Sequence, residues 1–427
     1  MRTAVLLMVL GGLLVPGVVL AAVETTPFGF VLVNASYNTR SMTDVPWVAP
    51  GPDPGKVEPN FNLFARQTRI GFKMKSDAQY APSGAIEVDF YGLRGSGGNG
   101  GPTQVAPRLR RAFMELHFKK LDLLAGQEWI AISPLNPTTL MHASLPGMMA
   151  SGNLWARLPQ VRATMRPVSS EAAEFKVDLA LSRPFGADGT MDGINVPVKV
   201  DTTTGLGTGA GTGGVGQGDV LGRGERYGWP WAQGRLGYTA KGATKVSVGV
   251  GGHFGLEDFK DDPAGDDLTG TSMAVAGDVQ IVVGKATISG EGFWGQNINT
   301  LFSNAKFAMV PDSIKVDDAY RTFQSVEEIK VVGGWGELKV AATPKLDVVL
   351  NGGVEQLDDE FLAAGALKSN TTVMGGLICK STPGVQIGLE AGLIMTKFKG
   401  NDPGTSDSEE EYDRNNLNVN LSFMYSF

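Results

Sequence analysis

Leu417-Asn-Val-Asn-Leu-Ser-Phe-Met-Tyr-Ser-Phe427 ends the chain on a strict alternation. Leu417, Val419, Leu421, Phe423, Tyr425 and Phe427 take every second place, and Asn418, Asn420, Ser422, Met424 and Ser426 fill the others. Successive side chains of a β-strand point to opposite faces, so the segment has one greasy face and one mostly polar face. A soluble protein seldom ends by exposing such a strand. A wall with hydrocarbon outside and water inside requires one, so the stretch predicts a stave of a transmembrane β-barrel.

The same two-faced pattern recurs upstream. Ile70, Phe72 and Met74 alternate with Arg69, Gly71, Lys73 and Lys75. Ile86, Val88 and Phe90 oppose Glu87, Asp89 and Tyr91, and Val385, Ile387, Leu389, Ala391 and Leu393 oppose Gln386, Gly388, Glu390 and Gly392. Charges keep to one parity, which is the lumen face, because a charge at the bilayer midplane costs about 2–4 kcal/mol. Strands are predicted near residues 28–38, 68–76, 84–92, 109–119, 121–132, 158–167, 174–183, 229–240, 243–254, 272–283, 285–296, 327–340, 344–355, 371–380, 384–396 and 416–427. These make about sixteen, an even number, as closed single-chain barrels have. Closure also removes the sheet edges that hydrocarbon could not satisfy. Connections alternate between tight turns (Lys119-Lys120, Lys241-Gly242, Val283-Gly284) and long polar loops. With both termini periplasmic, the long loops face outward. A soluble β-helix or sandwich competes less well, since the strands run to about ten residues.

The other end of the chain agrees. Met1 to Ala22 has a basic start at Arg2, an apolar run from Ala4 to Leu20 and small residues at its close. This reads as a secretory signal removed after Ala21 or Ala22, with a membrane anchor as the alternative. Residues 23–427 then form a single barrel domain. Nothing downstream supplies about 20 consecutive apolar residues.

Composition fits a two-faced wall. There are 58 glycines in 427 residues, about twice the usual share. Mean hydropathy is −0.03, as expected when greasy and wet faces average out. The formal charge is −7, and loss of Arg2 with the leader makes it about −8. Such mild acidity argues against nucleic acid as a partner. Cys379 is the one cysteine, so no intramolecular disulfide forms; it reads as an inert buried or lipid-facing thiol.

Sixteen strands leave an aqueous channel unless something fills it. The segment from Ser133 to Arg157 is long yet carries Leu135, Leu140, Met141, Leu145, Met148, Met149, Leu154 and Trp155. Such a segment needs shelter. Folding into the lumen as a constriction loop supplies it, with Ser133, Asn136, His142 and Trp155 as marker residues. An external loop covering a subunit contact is the alternative. By parity Arg69, Lys73, Lys75, Arg111, Arg162 and Arg166 point inward, Glu87, Asp89 and Glu115 lie among them, and Arg235 is a candidate addition. Arg108 and Arg110 lie at a loop junction, and their facing is ambiguous. Cations beside acids across a narrow pore set up a transverse field, and a cationic ladder favours anions. Arg111, Arg157 and Arg162 are expected near the eyelet. The bland alternative is that these charges pair among themselves and keep the lumen wet.

Several motifs give these strands a family resemblance. Arg108-Leu-Arg-Arg-Ala-Phe113, Leu123-Leu-Ala-Gly-Gln-Glu-Trp129 and Arg157-Leu-Pro-Gln-Val-Arg162 resemble the core of the DcaP-like branch of trimeric porins. Arg66-Gln-Thr-Arg-Ile-Gly-Phe72 and Ile86-Glu-Val-Asp-Phe90 resemble its earlier strands. The likeness covers residues 66–166 well and the rest in pattern only. It implies a homotrimeric Gram-negative outer-membrane porin for anionic, dicarboxylate-type solutes. The accessory coiled coil that many such proteins carry is not found in this sequence. The terminal strand likewise resembles the C-terminal strand of Gram-negative outer-membrane proteins, where it is the assembly signal. That implies recognition of Phe427 by the barrel-assembly machinery, and outer-membrane lipid and lipopolysaccharide as surroundings.

Other signals point to nothing further. The glycine run 205–218 neither follows a strand nor opens a helix, as a dinucleotide site must. The acidic runs 258–267 and 407–413 read as solvated outer loops, with Ca²⁺ or Mg²⁺ binding against lipopolysaccharide as an alternative. His117, His142 and His253 show no metal-ligand spacing, and no cofactor motif occurs. The reading is a porin for passive diffusion of small hydrophilic solutes, favouring anions such as carboxylates, with no reaction catalysed. A solute-specific phosphate or dicarboxylate channel, an outer-membrane enzyme and a plugged structural barrel stay open as alternatives.

Overall fold

The computed structural model describes residues 22–40, 58–92, 106–184, 223–258, 269–305, 307–311, 323–362, 365–400 and 411–427. The leader, the glycine run and most of both acidic runs lie outside the described residues. The chain is nearly all β. Its strands are β1 (Val23–Asn38), β2 (Asn60–Phe64), β3 (Arg69–Ser76), β4 (Ser83–Gly92), β5 (Ala106–His117), β6 (Leu121–Trp129), β7 (Arg157–Ser169), β8 (Ala173–Ser182), β9 (Trp231–Ala240), β10 (Thr244–Asp258), β11 (Thr269–Val283) and β12 (Ala286–Gln296). They continue with β13 (Phe307–Pro311), β14 (Phe323–Glu328), β15 (Lys330–Thr343), β16 (Leu346–Leu357), β17 (Leu367–Thr382), β18 (Val385–Lys399) and β19 (Glu411–Ser426). One short helix, α1 (Arg223–Tyr227), precedes β9.

Seventeen strands form one antiparallel sheet that closes on itself. β2 and β3 occupy a single stave, pairing with the end and the start of β1, so the wall has sixteen staves. The break between them was not expected. There the chain turns inward at Gln67, which is buried, and the Thr68 hydroxyl accepts the Leu32 N–H at 3.1 Å. β13 and β14, also unexpected, make a separate hairpin outside the wall.

The barrel closes between its last strand and its first. β19 pairs with β18 on one side and with β1 on the other, in the register Asn34↔Ser422 and Asn38↔Asn418. Gly29 and Phe427 exchange both backbone hydrogen bonds at 3.1 Å, which ties the last residue into the seam. Inside, the seam is an uncharged ladder: the Asn418 amide donates to Ser36 at 2.6 Å and to Asn38 at 2.8 Å, and the Asn34 amide to Ser422 at 2.9 Å. Outside, Leu417, Leu421, Phe423 and Tyr425 are bare.

Other staves repeat this division. Ile70, Ile86, Leu179, Leu350 and Leu389 are exposed on the outer surface, and Cys379 shares it. Glu87, Asp89, Asp178, Asn351 and Glu390 are buried within. Among the described residues no helix is long and apolar enough to cross a membrane. Turns at one end of the barrel are tight, as at 284–285 and 383–384, and the loops at the other end are long.

Candidate functional site: an arginine wall facing an inward loop

The loop after β6 enters the barrel. Its backbone would be costly to bury without partners, and the far wall supplies them. Glu291 of β12 accepts the Ser133 hydroxyl at 2.5 Å and the Leu135 N–H at 2.8 Å. Glu337 of β15 accepts the Thr138 N–H at 2.5 Å. Glu390 of β18 accepts the N–H groups of Leu140 and Met141 at 3.0 and 2.7 Å. Asn370 of β17 donates to the Ala150 carbonyl at 3.1 Å, and Gln67 to the Met141 carbonyl at 2.6 Å. The loop therefore lines the wall from β12 round to the seam. Its apolar residues supply the shelter: Met141 and Met148 pack with Trp335 and Met374, and Trp155 lies with Leu145 and Met149.

The wall is flattened to receive it. A Cβ on Gly353 would stand 2.2 Å from the Ser151 carbonyl oxygen. Gly152, at φ +98°, has the same relation to Gly334, at 2.3 Å. Backbone meets backbone there, and only glycine permits that approach. A second segment joins in, which the sequence reading missed. Residues 297–305 turn inward through a short 3-10 stretch, Asn299–Leu301. Phe302 stacks on Trp155 at 3.8 Å between ring centroids, and Ser303 and Asn304 donate to Glu355 of β16 at 3.0 and 2.6 Å.

The opposite wall, β3 to β7, carries the arginines. Arg108, Arg110 and Arg111 all face the lumen, although strict alternation would put Arg110 and Arg111 on opposite faces. A β-bulge explains it: Glu87 pairs with Arg111 and the next residue, Val88, pairs with Leu109, so Arg110 is the extra residue. Leu109 on one side and Met114 on the other face outward. Arg108 grips Asp89 with two bonds of 3.0 and 2.7 Å. Arg110, fully buried, lies between Glu87 at 2.5 Å and Asp89 at 2.7 Å and donates to the Ser144 carbonyl of the loop at 2.8 Å. Arg111 is bidentate to Glu128. Arg69 stands 3.8 Å from Glu87.

Arg157 differs from these. Its guanidinium lies 4.7 Å from the Trp129 ring centre and 5.4 Å from that of Trp155. Its Nη1 is buried without a hydrogen-bond partner among the described residues, as are Arg69 Nε and Arg110 Nη2, but unlike those two it makes no ion pair among them. Among the described residues Arg162 reaches only the Trp129 carbonyl, at 3.3 Å. Arg66, quoted above only within a motif, stacks on Tyr91 at 3.9 Å, with Arg108 near the same ring at 5.5 Å. Thus seven guanidinium groups (Arg66, Arg69, Arg108, Arg110, Arg111, Arg157 and Arg162) gather with three carboxylates (Glu87, Asp89 and Glu128).

Water reaches the cationic wall. Arg69, Arg108 and Arg111 keep 21, 24 and 26% of their side-chain surface, whereas Asn34, Glu355 and Glu390 on the far side are covered.

Some expected site residues fall elsewhere. Lys73, Glu115 and Arg166 face inward but at the tight-turn end: Lys73 lies over Phe28, Glu115 pairs in register with Ser83, and Arg166 binds Asp122. Lys75 pairs there with Glu24 at 3.0 Å. Arg235 is buried in a bidentate pair with Asp278 and does not join the cluster. Of the four loop markers, Ser133, His142 and Trp155 are buried in the loop's own packing, and Asn136 alone is exposed.

No protein-family model and no curated protein sequence matches the chain. Solved structures do. The outer-membrane channel DcaP of Acinetobacter baumannii superposes with a TM-score of 0.62 at 18% identity, covering 95% of this chain and 98% of that one. The anion-selective porin of Comamonas acidovorans gives 0.52 at 11% identity, with 95 and 100% covered. The trimer form of OmpT of Vibrio cholerae gives 0.51 at 11% identity, again with 95 and 100% covered. The fold is that of a bacterial outer-membrane porin. Within that porin fold the expected all-β barrel and its inward loop are both present. At such identities the likeness extends to the fold alone.

Proposed function

We propose that this chain is a water-filled channel through which small hydrophilic solutes diffuse passively, with anions preferred. The observation that carries the preference is the excess of guanidinium groups on one wall, with Arg157 half-buried and in no ion pair among the described residues. The far wall's Glu291, Glu337, Glu355 and Glu390 are turned to loop donors and covered by the loop, so a solute in the pore meets the guanidinium groups and not these acids. A desolvated cation without a counter-charge is most easily satisfied by a passing anion. The channel neighbours, one of them titled anion-selective, support this reading. The neighbour described as a trimer form supports a homotrimer, with the bare outer surface as the contact.

On this reading the leader 1–22 directs export and is removed, residues 23–427 are one barrel domain in outer-membrane lipid beside lipopolysaccharide, and nothing is catalysed. The test is single-channel recording in a planar bilayer under a tenfold KCl gradient. The expected reversal potential has the sign of Cl⁻ preference, and Arg157→Gln moves it toward zero. A cation-selective reversal would overturn the preference, and a barrel without conductance would overturn the channel.

A further inference from the structure

We infer that the tight-turn end of the lumen holds a site for a zinc-type divalent cation, built by Glu115 and His117 and oriented by Asp122. The two ligands lie on one stave, and the groups that hold them come from the staves on either side. Glu115 and His117 stand two residues apart on the same face of β5. Glu115 is in register with Ser83 of β4, and His117 with Asp122 of β6. The ring is held on both sides. Its Nδ1 is 2.9 Å from an Asp122 oxygen and its Nε2 is 2.9 Å from the Ser83 hydroxyl. An ionised carboxylate can only accept, so Nδ1 carries the proton and donates. Nε2 is then the lone-pair nitrogen, and the Ser83 hydroxyl donates to it.

That arrangement of carboxylate, imidazole and open nitrogen is how metal-binding histidines are held. Asp122 is kept to the orienting role because its other oxygen is taken by Arg166. The Glu115 carboxylate lies 4.0 Å from Nε2. In a tetrahedral zinc-type site with bonds of about 2.0–2.1 Å, the two ligand atoms would be about 3.4 Å apart, so Glu115 has about half an ångström to close. Its side chain is a quarter exposed and His117 over a third, so both can be reached from the lumen. The backbone beneath is fixed, with the His117 N–H donating to the Tyr80 carbonyl at 2.7 Å. Ser83 supplies a third, weaker oxygen, and water completes the shell. Glu115 and Asp122 against Arg166 leave a local negative charge before the metal enters, in contrast to the cationic wall farther up the lumen.

Equilibrium dialysis of the purified, folded barrel with Zn²⁺ tests this independently of conduction. One zinc per barrel is expected to be lost in Glu115→Gln and His117→Gln, with affinity falling at least tenfold. Asp122→Asn is expected to weaken it about tenfold through ring orientation. The acidic runs 258–267 and 407–413 are unchanged in these variants and serve as the internal background. Zinc-edge X-ray absorption on the unaltered protein should show one imidazole. Equal binding by wild type and His117→Gln, or an edge spectrum without imidazole scattering, overturns the site. Heat-modifiable gel migration shows whether each variant has folded, and the absorption spectrum decides even if one has not.

Discussion

Arg110 and Arg111 differ in what they do although they adjoin. Arg110 is fully buried between two carboxylates and also holds the loop, so its removal leaves Glu87 with Arg69 at 3.8 Å as its nearest cation and takes one of two partners from Asp89. We expect Arg110→Met to destabilise the barrel by about 3–5 kcal/mol, the usual cost of leaving a buried ion without its partner. A lowered midpoint of heat-modifiable unfolding would show it; an unchanged midpoint would mean that Glu87 and Asp89 find other partners. Arg111 keeps a quarter of its surface, but its partner Glu128 is buried, so Arg111→Gln should alter ion preference and also lower the midpoint. Sequence parity read Arg111 correctly and left Arg108 and Arg110 undecided. The reason is the bulge, a single inserted residue that alternation alone cannot register.

The loop 130–156 is held by acids of the far wall at one end and by glycine-lined approach at the other. Glu390→Gln keeps the shape but exchanges charge-assisted bonds to two backbone donors for neutral ones, a loss of about 1 kcal/mol each. Noisier open-channel current is expected, and a trace as quiet as wild type would show that Glu390 is not an anchor. Gly353→Ala should be more severe, because a methyl group there meets backbone at 2.2 Å. His142 adds a pH dependence. Burial pushes its pKa down to about 3, below the usual 6.5. An undocked loop takes up the proton near 6.5, so between there and about 3 the undocked state binds more protons than the docked one. Docking is then complete above pH 6.5 and weakens as pH falls through that window. Hydrogen exchange of 130–156, corrected for intrinsic rates, should rise between pH 7.5 and 4.5 and rise less in His142→Asn. Exchange that ignores pH would remove His142 from this role. The loop's hydrophobicity made it legible as sheltered. Its path along β12 and β15 to β18 was not, because the anchoring acids lie from about 150 to 250 residues away in sequence.

At the scale of the whole barrel, one face of every stave is given to the bilayer and the other to the lumen, and the seam must close before either is useful. Phe427 completes it with paired backbone bonds to Gly29. Deleting Phe427 should reduce the heat-modifiable, membrane-inserted fraction severalfold while leaving any barrel that does form conducting as before. A normal yield would separate the seam from assembly.

Strand number, face, closure and the presence of an inward segment were all decided by local sequence. A period of two is a property of the backbone itself, and the bilayer punishes any departure from it. Charge balance in the pore was decided by tertiary structure. Arg69, Arg108 and Arg110 met Glu87 and Asp89, Arg235 was taken by Asp278, and Arg157 was left on two tryptophans. Pairing depends on register, on a bulge and on which wall the loop covers. Each of these joins residues that composition and spacing treat as unrelated, so only the closed barrel shows which cations stay uncompensated.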